Sequence, residues 1–219
     1  MKTIFVHAKA GVDVKAVVGK AAEKLLKKSG RVGLVSTIQF VHQLDSAKRV
    51  LAGCGIKAEV CGQILGCDAS CVDKFSDFDA FLYIGSGKFH PLAVAFRTKK
   101  KVITADPFSG EVSELKDEEI KAFEKRRRAG LVKFLSSEKI GILVSTKTGQ
   151  QNLKKALELK KKVEEAGDKI GYVFLSDSID YNEFDNFNFV QCWVNTACPR
   201  IIEDYERIKK PIVNMEDVK

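Results

Sequence analysis

The sequence predicts an α/β fold made of two duplicated units of parallel β-sheet flanked by helices. Three observations carry this. Short apolar strand patterns alternate with helical patterns, which implies parallel sheets covered on both faces. The pattern Val32-Gly33-Leu34-Val35, ending in Ser36-Thr37, has a counterpart in Ile140-Gly141-Ile142-Leu143-Val144, ending in Ser145-Thr146. Phe81-Leu82-Tyr83-Ile84, running into Gly85-Ser86-Gly87, is matched late in the chain by Cys192-Trp193-Val194, running into Asn195-Thr196-Ala197. Repetition of this kind takes precedence in assigning a fold.

The elements follow in order. Residues 3–7 read as a strand, and residues 11–28 as an amphipathic helix with Val14, Val17, Val18, Ala21 and Leu25 at helical spacing. Residues 1–30 match neither repeat and read as the tail of something larger. Residues 31–134 form the first α/β repeat with a linking helix at 117–136, rich in charge and in good helix formers. Residues 135–219 form the second repeat. A short helix and a closing strand end each repeat: Lys101-Val102-Ile103-Thr104, with Asp106-Pro107 after it, and Pro211-Ile212-Val213-Asn214.

Right-handed crossovers put the strand-to-helix loops of each repeat on one edge. Open α/β sheets place their ligand chemistry there. The loops are 36–44, 84–92, 145–151 and 195–200, and they carry Gln39, His42, Ser86, His90, Lys147, Gln150, Cys198 and Arg200.

Composition narrows the class. The chain has 219 residues, 45% of them hydrophobic, enough for cores of real size. No apolar run approaches the roughly 20 residues of a membrane span, and the first residues turn polar too soon for a signal peptide. A cytoplasmic protein with no membrane contact is expected. The six cysteines then read as reduced thiols or metal ligands rather than disulfides. Net charge is +8, with basic runs at 99–101, 125–128 and 160–162. These read as solvated faces, or more sharply as a surface for an acidic or RNA-associated partner. There is no RNA-binding motif, and direct nucleic-acid binding is not expected.

Two cysteine loops stand out. One is Gly62-Gln63-Ile64-Leu65-Gly66-Cys67. The other is Asn195-Thr196-Ala197-Cys198-Pro199-Arg200, which follows an apolar, β-rich run at 189–194. Zinc does not fit the first group: Cys54, Cys61, Cys67 and Cys71 are spaced by seven, six and four residues, not as two close pairs. The plain alternative is a set of small, partly buried thiols. No dinucleotide or P-loop signature is present. Gly85-Ser86-Gly87 could offer backbone N–H groups to an anion at a helix start, or could simply turn. His42 and His90 are residues of the type that moves protons near neutrality, and equally of the type that satisfies a loop. Asp106 could hold a polar ligand or cap a turn. No nucleophile elbow occurs, and no catalytic residue is assigned.

Five stretches together resemble a known family. They are Gly62 to Cys67; Ile84-Gly85-Ser86-Gly87-Lys88-Phe89-His90-Pro91-Leu92; Ala105-Asp106-Pro107 with Gly110-Glu111-Val112; Thr146-Lys147-Thr148-Gly149-Gln150; and Asn195 to Arg200. In order and spacing, over nearly the whole chain, they are similar to the archaeal 2-(3-amino-3-carboxypropyl)histidine synthases of diphthamide biosynthesis, non-standard radical S-adenosylmethionine enzymes. The resemblance implies three related α/β domains around a cavity, with one cysteine per domain holding a 4Fe-4S cluster. It implies S-adenosylmethionine as substrate, bound at the fourth iron. Reductive cleavage then yields a 3-amino-3-carboxypropyl radical that adds to a histidine of translation elongation factor 2.

By motif, Cys67 and Cys198 would be cluster ligands, since thiolates are the usual donors to iron–sulfur clusters. Gln39, Ser86, Gly87, His90 and Lys147 would hold the polar groups of S-adenosylmethionine. The chain starts near the family's first-to-second domain junction, so the family's third cysteine is expected to be absent. A partner would then supply it, as a homodimer or a heteromer with a related synthase subunit. Alternatively Cys71, Cys61 or Cys192 fills in; Cys71 could share a helix face with Cys67. The rival readings are a non-catalytic binding or partner subunit that has lost the cluster, and a transferase using S-adenosylmethionine on another acceptor.

Overall fold

The structure is a computed structural model that describes residues 4, 6, 8–26, 30–66, 68–204 and 208–218. It consists of two compact units, Met1–Ala122 and Phe123–Lys219.

The first unit contains α1 (Lys15–Leu26), β1 (Arg31–Ser36), α2 (Leu44–Gly53), β2 (Lys57–Gln63), β3 (Ala80–Ile84), α3 (Phe89–Thr98), β4 (Lys101–Ala105) and β5 (Val112–Glu114). Its sheet runs β2-β1-β3-β4-β5. The first four strands are parallel, and β5 returns antiparallel on β4. All of β3, and β1 from Val32 onward, are buried. That is why they read as continuous apolar runs rather than alternating ones. α1 and α2 share one face of the sheet: Val17, Val18, Ala21 and Leu25 join Leu44, Ala47 and Leu51 over Val32, Leu34, Leu82 and Ile84. The crossover through α3 leaves the centre in the other direction, so right-handedness puts it on the opposite face.

The second unit contains most of α4 (Asp117–Leu135), then β6 (Lys139–Ser145), α5 (Leu153–Glu165), β7 (Ile170–Ser176), β8 (Cys192–Asn195) and β9 (Ile212–Asn214). Its sheet runs β7-β6-β8-β9, all parallel. Phe134 of α4 and Ala156, Leu159 and Val163 of α5 cover one face, over Ile140, Ile142, Val144, Cys192, Val194 and Val213. On the other face Trp193 stacks on Phe184 at 4.4 Å and meets Phe174 at 4.7 Å. No α-helix lies there among the described residues. A 3-10 segment, Tyr181–Asn186, takes that place, and another, Pro199–Asp204, stands where a short helix was expected.

The repeat extends further forward than the sequence suggested. α1 stands before β1 as α4 stands before β6, and it is buried in the first unit's own core rather than set apart from it. It starts at Lys15 instead of residue 11 because the preceding turn is clamped. Asp13 Oδ1 accepts from the Lys15 N–H at 2.9 Å. Gln43 donates to Val12 O at 2.8 Å and accepts from the Val14 N–H at 3.2 Å. In the strand expected at 3–7, positions 3, 5 and 7 lie outside the described residues, and Ile4 and Val6 are in no strand. The linking helix is α4, and the two units part within it, after Ala122, whereas the expected boundary was 134/135.

Candidate functional site

Both sheets reverse their winding at the centre, between β1 and β3 in one unit and between β6 and β8 in the other. At such a switch point the two neighbouring loops leave in opposite directions and open a crevice at the carboxyl ends of the strands. Gln39, Ser86, Gly87, Lys147 and Cys198 lie on loops at these two edges, and His90 lies in the first turn of α3.

In the second unit, Cys198 follows β8 on a loop held by buried amides. Asn195, 2% exposed, donates from Nδ2 to Cys198 O at 2.9 Å and to Asn214 Oδ1 at 2.8 Å. Its Oδ1 accepts from the Ala197 N–H at 3.0 Å. Asn214 donates to Pro199 O at 3.3 Å, and Asn152 to Thr196 O at 2.8 Å. Thr196 Oγ1 donates to Leu143 O at 2.8 Å. The Cys198 thiol is therefore carried on a fixed backbone, half-buried and free. Cys192 contrasts with it. Its side chain is fully buried, and desolvation pushes its thiol up to about 12. It belongs to the core.

Lys147 stands on the neighbouring loop after β6, exposed. Its N–H donates to Ser145 Oγ at 3.1 Å, and its carbonyl accepts from the Gln150 N–H at 3.0 Å. Arg200 is exposed one turn beyond Cys198, and Gln150 is half-buried.

In the first unit, the Gly85–Lys88 loop bridges β3 and α3. Gly87 takes φ +76°, a left-handed conformation that suits glycine. Ser86 is exposed; its hydroxyl donates to Asp106 Oδ1 at 3.1 Å, and its carbonyl accepts from Tyr83 Oη at 3.2 Å. Burial, and then the charge of Asp106, push the Tyr83 phenol up to about 12, so it stays a donor. His90, half-buried in the first turn of α3, lies parallel to Tyr83 with ring centroids 6.0 Å apart. Gln39 is exposed on the loop after β1, and His42 is exposed just beyond it.

Cys67 lies outside the described residues. On either side of it, Leu65 and Asp68 exchange backbone hydrogen bonds at 2.8 and 3.1 Å, and Ile64 N donates to Ser36 O at 2.8 Å. Gly66 packs against the Phe89 ring so closely that a Cβ there would fall 1.5 Å from a ring carbon. Cys71 is half-buried in a 3-10 segment, Ser70–Phe75. Burial raises its pKa, with the carboxylates of Asp68 and Asp73 adding to the effect. Cys54 is exposed just past α2.

Cys198 suits a thiolate donor to iron: accessible, on a rigid polar loop, beside a cationic loop. Among the described residues no three His, Cys, Asp or Glu side chains converge as a metal site. The amides that fix the Cys198 loop were not among the expected site residues. One signal existed: adjacent strands β8 and β9 both end in asparagine, a residue depleted from strands.

The fold defines a duplicated open-sheet α/β protein, a class in which ligands bind at the carboxyl edges of the strands. The chain belongs to the diphthamide synthesis family, described as "Putative diphthamide synthesis protein", which matches residues 1–219. It is 32% identical to the 2-(3-amino-3-carboxypropyl)histidine synthase of Pyrococcus horikoshii, over 99% of this chain and 64% of that protein. It is 29% identical to the 2-(3-amino-3-carboxypropyl)histidine synthase subunit 1 of Schizosaccharomyces pombe, over 94% of this chain and 49% of that protein. The crystal structure of Dph2 from Pyrococcus horikoshii with a 4Fe-4S cluster superposes with a TM-score of 0.81 at 29% identity, covering 95% of this chain and 62% of that one. This chain thus spans less than two-thirds of the length of each of these relatives. No described helix is long and apolar enough to cross a membrane.

Proposed function

We propose that this chain serves the first step of diphthamide synthesis: iron–sulfur-dependent transfer of the 3-amino-3-carboxypropyl group of S-adenosylmethionine to a histidine of translation elongation factor 2, in the cytoplasm, alone or as a subunit. The observation that carries the reading is Cys198, a free thiol on a loop whose backbone is held by a buried asparagine at a sheet's switch point, in a chain similar to a structure that contains a 4Fe-4S cluster.

Cys67 and Cys198 are the proposed cluster ligands. A third thiolate comes from a partner chain, a second copy or a related synthase subunit, with Cys71 as the local substitute. When bound, the cluster supplies the electron for reductive cleavage of the bond between sulfur and the amino acid's Cγ. The chain's own residues bind and orient. Asn195 and Asn214 keep the Cys198 loop from moving. Gln39 and His90 in the first unit, and Lys147 in the second, are each proposed as donors to polar groups of S-adenosylmethionine. Ser86 and Gly87 shape a loop leading into the start of α3, a place where backbone N–H groups and the helix dipole suit an anionic group.

Anaerobic reconstitution with iron and sulfide tests this. Broad visible charge-transfer absorbance, lost in Cys198→Ala, is expected for the chain alone or mixed with a related synthase subunit. Absence of iron under both conditions refutes the reading and leaves a non-catalytic binding subunit. Mass spectrometry of elongation factor 2 after incubation with S-adenosylmethionine then identifies the acceptor; an unmodified factor beside consumed substrate would point to another acceptor.

A further inference from the structure

Asp106 has no role in the reading above, yet it is built into the same edge. It follows β4, whose last residue, Ala105, pairs with Ile84 of β3, so it stands beside the Gly85–Lys88 loop. One carboxylate oxygen is committed internally. Oδ1 accepts from Ser86 Oγ at 3.1 Å and from the Phe108 N–H at 2.9 Å. The backbone closes the turn, with Asp106 N donating to Glu111 O and Gly110 N donating to Asp106 O, both at 2.9 Å. The second oxygen, Oδ2, has no hydrogen-bond partner among the described residues, and the residue is only half-buried. Two residues on, Phe108 is 57% exposed while its ring rests against Phe40 at 5.4 Å. The ring is held in place with much of its surface open.

An unengaged carboxylate oxygen accepts hydroxyl donors and rejects anions. A carboxylate at a strand's end that takes ribose hydroxyls is a general device of open α/β sheets. A fixed, open aromatic ring in the same turn suits a planar base, since bases and aromatic rings stack regardless of the base's identity.

We propose that the Asp106–Phe108 turn is a nucleoside subsite, in which Asp106 Oδ2 accepts from the ribose hydroxyls of the ligand and Phe108 packs on its base. This rests on the reading of Ser86, Gly87 and His90 as a S-adenosylmethionine site, and it assigns the adenosine part of that ligand to this turn. Oδ1 meanwhile presets the Ser86 loop, so one side chain couples loop shape to ligand identity.

The test separates the two oxygens. Asp106→Asn keeps an oxygen to accept from Ser86 and Phe108, so the turn stays closed, and replaces Oδ2 with an amide that cannot accept. Calorimetric titration of the full chain uses 5′-methylthioadenosine and its 2′,3′-dideoxy analogue, neither of which needs iron to bind. The native chain should bind the first ~10- to 100-fold more tightly, the factor expected for hydrogen bonds to a charged group. Asp106→Asn should lose that factor for the first ligand and none for the second, and Phe108→Ala should weaken both. Equal affinity of the native chain for the two analogues, or an undiminished Asp106→Asn, overturns the subsite while the S-adenosylmethionine site stands. A native chain that binds neither methylthioadenosine nor S-adenosylmethionine overturns both.

Discussion

Replacing Asn195 by alanine should destabilise the second unit by about 2–4 kcal/mol. The side chain is 2% exposed, donates twice and accepts once. Alanine leaves the buried Ala197 N–H and Asn214 Oδ1 without these partners. Cys198 O keeps its bond from Ile201 N, at 3.0 Å. An abandoned buried group costs about 1–3 kcal/mol, so two cost roughly 2–6 kcal/mol. Water entering the vacated polar space recovers part of this, which favours the lower half of the range. Urea unfolding is the assay, followed by the fluorescence of Trp193, the chain's single tryptophan, which lies in β8 two residues before the mutation. The midpoint should fall with an unchanged slope, as for a loss of stability without a change in exposed surface. Asn214→Ala should cost less than Asn195→Ala, and the double variant should show coupling of about 0.5–3 kcal/mol. A loss under about 0.5 kcal/mol for Asn195→Ala, the size of an ordinary surface change, would refute the claim that these amides hold the cysteine loop.

Cys67→Ala and Cys198→Ala should each remove bound iron while leaving the circular dichroism spectrum unchanged, and Cys54→Ala should retain iron; aggregation of the Cys198 variant would mark that thiol as structural. Gly130→Ala, on α4, would bring a Cβ within 2.7 Å of the Ile212 carbonyl oxygen of β9. Because backbone must move, a loss of about 1–3 kcal/mol is expected in the same urea assay. Stability should also fall at alkaline pH. Burial raises the Cys61 and Cys192 thiols from 9.0 to about 12, so above pH 9 the unfolded chain releases these protons first and holds fewer than the native state. Stability is then complete below pH 9 and declines toward pH 12. Cys192→Val, which has no proton to lose, should flatten that decline in pH-dependent melts.

Much of the architecture was legible because each unit is wound around strands buried on both faces. Val32 to Val35 and Ile140 to Val144 cannot be mistaken for half-exposed strands, and the polar residues that end them mark the carboxyl edge. Hence Gln39, Ser86, Lys147 and Cys198 could be placed on edge loops before any coordinates. Less legible was α1, which looked like a remnant because its partner in the repeat, α4, is far more charged on its outer face. Asn195 and Asn214 passed for strand residues because what they bind is the backbone of neighbouring loops, and backbone atoms leave no trace in composition. The second oxygen of Asp106 was equally hidden: a turn cap and a ligand acceptor are the same letter until that oxygen is seen to have no partner among the described residues.

Sequence alone therefore determined the central buried strands, their repetition, and the edge on which the loops gather, since burial and chain direction act locally and along the chain. Tertiary structure alone decided strand order, and with it the switch points between β1 and β3 and between β6 and β8. It also fixed the surroundings of the thiols: Cys192, expected within a strand, is fully buried, and Cys198, expected on an edge loop, is half-buried on a backbone pinned by Asn195. Side-chain neighbours across a sheet follow from register and crossover hand, and those are properties of the packed whole.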